Sequence, residues 1–122
     1  MIHNMNLAPL PFKAISIGKK TIEMRLYDEK RSKINIGDEI EFENIDTHQK
    51  IKCEVINLTR YKDFFELYSN FYKTTIGYDK NETANAEDMY IYYSPEQIQM
   101  YGVLAIEIKL ITENDYGKSC NA

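Results

Sequence analysis

Long apolar runs are missing from this chain of 122 residues: none approaches the roughly 18 residues of a membrane-spanning helix, and no signal-peptide pattern opens it. No membrane association is therefore expected. Cysteine is scarce. Cys53 falls in an expected strand and Cys120 in the polar C-terminal stretch, with no metal-ligand spacing between them. That excludes a disulfide framework or a zinc site, and leaves reduced thiols in a cytoplasmic protein as the simplest reading. A large charge of one sign is also absent. The net charge of −4 argues against indiscriminate binding to long duplexes, which rests on many phosphate contacts. Internal repeats and linkers do not occur, and no metal or cofactor is implied.

What is present, 43% hydrophobic and 28% charged residues, is the composition of a soluble globular protein large enough to bury one core. The expected organisation is a single domain over residues 1–111 and a frayed polar tail over 112–122. Charge is unevenly spread. Lys13, Lys19, Lys20, Arg25, Lys30, Arg31 and Lys33 stand against five acids in residues 1–40, predicting a local basic rim. Such a rim suits one nucleotide or a short single strand better than a duplex.

The patterning predicts a weak first strand over 2–7, then a short helix opened by Pro9 and Pro11 and stopped by Gly18. Residues 27–33 read as a charged loop or helical turn. Alternation predicts an antiparallel pair over 39–43 and 51–58. Tyr61, Phe64, Phe65, Tyr68, Phe71 and Tyr72 follow a helical period, predicting an amphipathic helix over 61–72 whose aromatic stripe packs into the core. Residues 73–86 read as a loop, 85–93 as helical. Ser94, Pro95 and Gln97 form a capping-box start for a helix that Gly102 ends. The apolar run 103–110 predicts a central strand, with either Leu104, Ile106 and Ile108 or Val103 and Ala105 as its buried set. Pattern alone gives α+β or a small barrel.

The densest chemistry lies in Gly18-Lys19-Lys20-Thr21-Ile22-Glu23-Met24-Arg25. Ile22, Met24 and Leu26 share one face of a strand; Glu23 and Arg25 emerge side by side on the other, with Lys20 in the turn before it. The bland reading is a solvated ion pair contributing about 0–1 kcal/mol. The spacing Gly-x-Lys-x-x-Glu-x-Arg resembles the signature of the ASCH family, small domains with a PUA-like fold. The resemblance continues through Leu26, Asp28 to Arg31, Gly37-Asp38, residues 40–42, Tyr101-Gly102-Val103 and residues 104–108. Pro11, Phe12 and Ile15 fit the preceding helix, so the likeness covers about residues 5–110.

The resemblance implies a PUA-like pseudobarrel and three functional readings. In the first, the domain binds RNA or a small nucleotide or modified nucleobase: Lys20, Arg25 and Arg31 hold phosphate or carbonyl oxygens, Glu23 accepts from a base edge, and Tyr27 or Tyr93 stacks. In the second, it is a small hydrolase related to N4-acetylcytidine amidohydrolases, with Lys20 and Glu23 as catalytic groups. The nucleophilic threonine of that branch is replaced here by Glu23, while Thr21 lies one residue after the lysine. In the third, the charged motif latches helix to sheet in a structural or protein-interaction domain. Oligomeric state is left open by all three.

Overall fold

The alternating segments become five strands in the computed structural model, which describes residues 1–112: β1 (Ile2–Leu7), β2 (Ile22–Leu26), β3 (Glu39–Asn44), β4 (Lys50–Tyr61) and β5 (Val103–Leu110). Residues 113–122, with Cys120 and nearly all of the expected tail, lie outside the described residues. One sheet joins the strands in the order β1-β3-β4-β5-β2. Only β1 and β3 run parallel; the other neighbours are antiparallel. A bulge between Val55 and Asn57 interrupts the β4/β5 register and bends the long β4, so the sheet curls. This is an α+β fold, a PUA-like pseudobarrel whose two edge strands, β1 and β2, come to face each other across its open side.

Both faces of β5 are buried, where the sequence left one set to be chosen. Leu104, Ile106 and Ile108 pack with Phe42, Val55 and Ile15 on the inner face. Val103 and Ala105 pack on the outer face with Phe64, Leu67 and Ile98. β2 adds Ile22, Met24 and Leu26 to that outer cluster. Its alternate residues, Glu23 and Arg25, therefore sit on the inner face opposite Ile106 and Leu104. Cys53 shares this interior; burial pushes its thiol up to about 12, with the Glu23 charge adding to the rise.

Four helices pack around the sheet: α1 (Pro9–Ser16), α2 (Glu29–Ser32), α3 (Phe64–Tyr68) and α4 (Pro95–Tyr101), with a 3₁₀ turn at Ala86–Ile91. Ser94 and Gln97 form the expected capping box on α4. The long aromatic helix is not formed. Tyr61 closes β4 by pairing with Val103, and α3 spans five residues. Asp63 caps its start by accepting from Glu66 N, and Ser69 Oγ and Asn70 Nδ2 both donate to Glu66 O at its end. These local bonds close the helix at both ends. Part of the aromatic stripe serves the core: Phe64 is buried and Tyr61 meets Phe71 edge-on at 6.1 Å. Phe65 and Tyr72 are exposed instead, because the short α3 turns Phe64 and Leu67 inward and ends before Tyr72. Among the described residues no helix is long and apolar enough to cross a membrane.

Candidate functional site

At Gly18 the chain leaves α1 with φ at +78°, a conformation that favours glycine, and Lys19 N and Lys20 N fold back onto Ala14 O at 3.0 Å. This reversal brings Lys20 into the turn before β2, as the sequence suggests. Thr21 N and Ile22 N then both donate to Thr75 O at 3.0 Å, fastening the long loop against the motif. The Lys20 stem runs beneath Gly77, where a Cβ would meet Lys20 Cδ at 3.4 Å. That is ordinary van der Waals contact, so it is the positive φ of +115° that favours glycine here.

Lys20, Glu23 and Arg25 converge. Lys20 Nζ donates to Glu23 Oε1 at 2.8 Å, and the same oxygen takes Met24 N at 3.2 Å. Arg25 Nε donates to Glu23 Oε2 at 2.9 Å, with Nη2 2.8 Å from the same atom. A carboxylate offers about four lone-pair sites, and three of them take hydrogen bonds here. Arg25 Nη2 also donates to Asn6 O at 2.9 Å, tying edge strand β2 to edge strand β1. The Glu23 side chain is only 4% exposed, so this is not the solvated pair of the bland reading.

Burial acts to raise the Glu23 pKa, but the Lys20 and Arg25 charges and their hydrogen bonds outweigh it and hold the carboxyl at about 2. A carboxyl depressed in the folded state contributes stability that is present above its unfolded pKa, about 4.3, and lost as pH falls toward 2. Denaturant unfolding at a series of pH values should show wild-type stability falling through that window. In Glu23→Gln, already less stable at neutral pH, the fall should be shallower.

These three residues form one wall of a cleft of about 720 Å³, which opens between α1, the end of β1, β2, the loop at residues 76–79 and the 3₁₀ turn. The volume lies within the range of small-ligand sites. Tyr68, Tyr78, Tyr92 and Tyr93 form the facing aromatic side, and exposed Leu10, Ile17 and Ile91 lie at the lips. Tyr93 stacks on Phe64 with 5.9 Å between centroids. Burial pushes its phenol pKa up, while the Arg25 charge pulls it back. Tyr68 and Tyr78 share a hydrogen bond of 3.0 Å, and Tyr78 donates to Asp88 Oδ2 at 2.7 Å.

Of the residues the sequence singled out, Lys20, Glu23, Arg25 and Tyr93 line this cleft, whereas Tyr27 and Arg31 do not. Arg31 Nη1 is bound to Asp28 Oδ2 at 2.9 Å, and its buried Nε has no partner. Tyr27 lies under the guanidinium of Arg60. The expected basic rim is neutralised where it borders the cleft: Lys13, Lys19, Lys20 and Arg25 face Glu23, Asp79, Glu82 and Asp88, and Lys19 pairs with Asp79. Sequence reading missed Tyr68, Tyr78 and Asp88 as lining residues. The only hint of Tyr68 was its place in the aromatic stripe. Thr21 is exposed and does not line the cleft. Among the described residues no cluster of His, Cys, Asp and Glu is placed to hold a metal ion.

A family model described as the ASCH domain matches residues 5–112. The hypothetical protein PH0355, solved by crystallography, superposes with a TM-score of 0.78 at 32% identity, covering 91% of this chain and 100% of its own. Protein PF0455 from Pyrococcus furiosus is also 32% identical, with a TM-score of 0.66 over 91% of this chain and 98% of its own. An ASCH protein from Zymomonas mobilis shares the fold at 16% identity, with a TM-score of 0.64 over 96% of this chain and 77% of its own. No curated protein matches the sequence.

Proposed function

The chain belongs to the ASCH domain family, and from that premise we propose that its cleft binds RNA by taking in one nucleotide unit, without chemical turnover. The observation that carries this reading is the pairing of a fixed Lys20–Glu23–Arg25 wall with a tyrosine wall around about 720 Å³. A nucleobase has the matching chemistry: a flat face to stack on the exposed ring of Tyr92, beside Tyr93 on the cleft wall, and polar edges for charged groups. The balance of four cations and four acids along the lining suits a base and its sugar better than a run of phosphates.

Within this reading Glu23 positions rather than reads. Its oxygens are already bound by Lys20, Arg25 and the Met24 amide, so Lys20 Nζ and the remaining guanidinium hydrogens of Arg25 are the donors that face a ligand carbonyl. The same geometry weighs against hydrolysis. A carboxyl held at about 2 is a weak base at neutral pH, and Thr21 offers no nucleophile in the cleft.

Tyr92 provides the test, because it is 65% exposed and its removal should leave the fold intact. Titration with labelled adenosine and cytidine should show Tyr92→Ala binding about 5- to 100-fold more weakly than wild type, the range of one lost base stack. Its thermal midpoint should be unchanged. Equal affinity in the two proteins, or hydrolysis of N4-acetylcytidine by the wild type, overturns the proposal.

A further inference from the structure

The chain has three arginines, and they are not held alike. Arg25 and Arg31 are committed to the carboxylates of Glu23 and Asp28. Arg60 lies over the Tyr27 ring with its Cζ 3.8 Å from the centroid. Among the described residues no carboxylate or carbonyl accepts from it, and the residue is exposed. Stacking occupies the face of a guanidinium and leaves its five N–H donors, which lie in the plane, free. It also fixes the group in advance, so less side-chain freedom is lost when an anion arrives.

Strand register connects this group to the cleft. Arg60 pairs with Leu104 on β5, and Leu104 pairs with Arg25 on β2, so all three share one face of the sheet. At the usual strand spacing Arg60 and Arg25 stand about 10 Å apart along that face. Tyr93, on the cleft wall, lies within electrostatic reach of both Arg25 and Arg31. Arg31 in turn is bound to Asp28, the residue that follows Tyr27. Arg60 thus stands on the same sheet face as Arg25 of the cleft wall, two strands away, as an exposed cation with its N–H donors unclaimed among the described residues. That separation is within the reach of a short single strand, whose backbone phosphate can meet a cation beside the site that takes its base.

We propose that Arg60, seated on Tyr27, binds a backbone phosphate of single-stranded RNA whose neighbouring nucleotide occupies the cleft. This rests on the nucleotide reading of the cleft and extends it from one nucleotide to a short strand. The contact carries no base preference, because a guanidinium on a phosphate reads charge and geometry only. Lysine should replace it poorly, since an ammonium offers neither the planar fork nor the stacking face.

The test compares labelled penta-adenylate and penta-uridylate with adenosine and cytidine, at several salt concentrations, on wild type, Arg60→Ala, Arg60→Lys and Tyr92→Ala. Arg60→Ala should bind both oligomers about tenfold more weakly and lower the log–log salt slope by about 0.7, one phosphate's worth on a single strand. Its nucleoside affinity and thermal midpoint should not change, and Arg60→Lys should recover only part of the loss. Oligomer affinity and salt slope unaltered in Arg60→Ala, or no oligomer binding by wild type, overturns the proposal. Oligomer binding that depends on Arg60 but not on Tyr92, with no nucleoside binding, would overturn the cleft reading and leave the phosphate contact standing.

Discussion

Glu23→Ala should lower the stability of this protein by about 3–5 kcal/mol, the usual cost of removing one partner from a buried ion group. The substitution leaves Lys20 Nζ, on a side chain 8% exposed, without the acceptor at 2.8 Å that neutralises it. Arg25 keeps its bond to Asn6 O but loses its only carboxylate among the described residues. For a domain of this size that cost corresponds to a thermal midpoint lower by about 10–20 °C. The methylenes removed from the core account for a smaller part, since Glu23→Leu, which restores volume and still leaves Lys20 unpaired, should be nearly as unstable. Urea unfolding of both variants beside Glu29→Ala, an exposed carboxylate that should cost less than about 0.5 kcal/mol, measures the difference. A loss below about 1 kcal/mol in Glu23→Ala would mean that the group is hydrated and that its enclosure has no energetic consequence.

Local chemistry was readable from the sequence wherever the determinants lie close together in the chain. Gly18 marks the end of α1, the alternation at Ile22, Met24 and Leu26 marks β2, and Ser94 with Gln97 marks the start of α4. Tyr61 shows where this stops. Its spacing to Phe64 and Phe65 satisfies a helical template, yet pairing with Val103, forty-two positions away, draws it into β4. Such pairing leaves no trace in local periodicity. The burial of Glu23 was hidden for the same reason. A strand with one apolar face reads as half-solvated, and only the coverage of both faces of the sheet puts the charged side of β2 inside. The candidate cleft is a long-range product as well. Its motif wall comes from residues 20–25 and its tyrosines from residues 68–93, and the bonds from Thr21 N and Ile22 N to Thr75 O bring the two together.

The triple variant Lys20→Met, Glu23→Leu, Arg25→Met should regain most of the stability that Glu23→Ala loses, while nucleoside binding falls by more than about 100-fold. Buried ion groups replaced as a whole by apolar residues of similar volume are often neutral or stabilising, because the desolvation of every charge is removed along with the attraction. Here methionine can follow the path of the Lys20 stem beneath Gly77, and leucine at position 23 meets the apolar inner face beside Ile106. One debit remains. Asn6 O loses its donor from Arg25, at about 1 kcal/mol, and with it the side-chain tie between the edge strands. The triple variant should therefore unfold within about 2 kcal/mol of wild type. Binding should not recover, because a base whose polar edge meets a methionine and a leucine gives up its hydrogen bonds to water without replacement. Isothermal titration of the folded triple variant with adenosine and cytidine separates the two roles of the motif. Wild-type affinity would make Lys20, Glu23 and Arg25 a latch and nothing more. Loss of binding in a protein that is still stable would make the same three residues the polar wall of the site, with Glu23 holding the two cations in place.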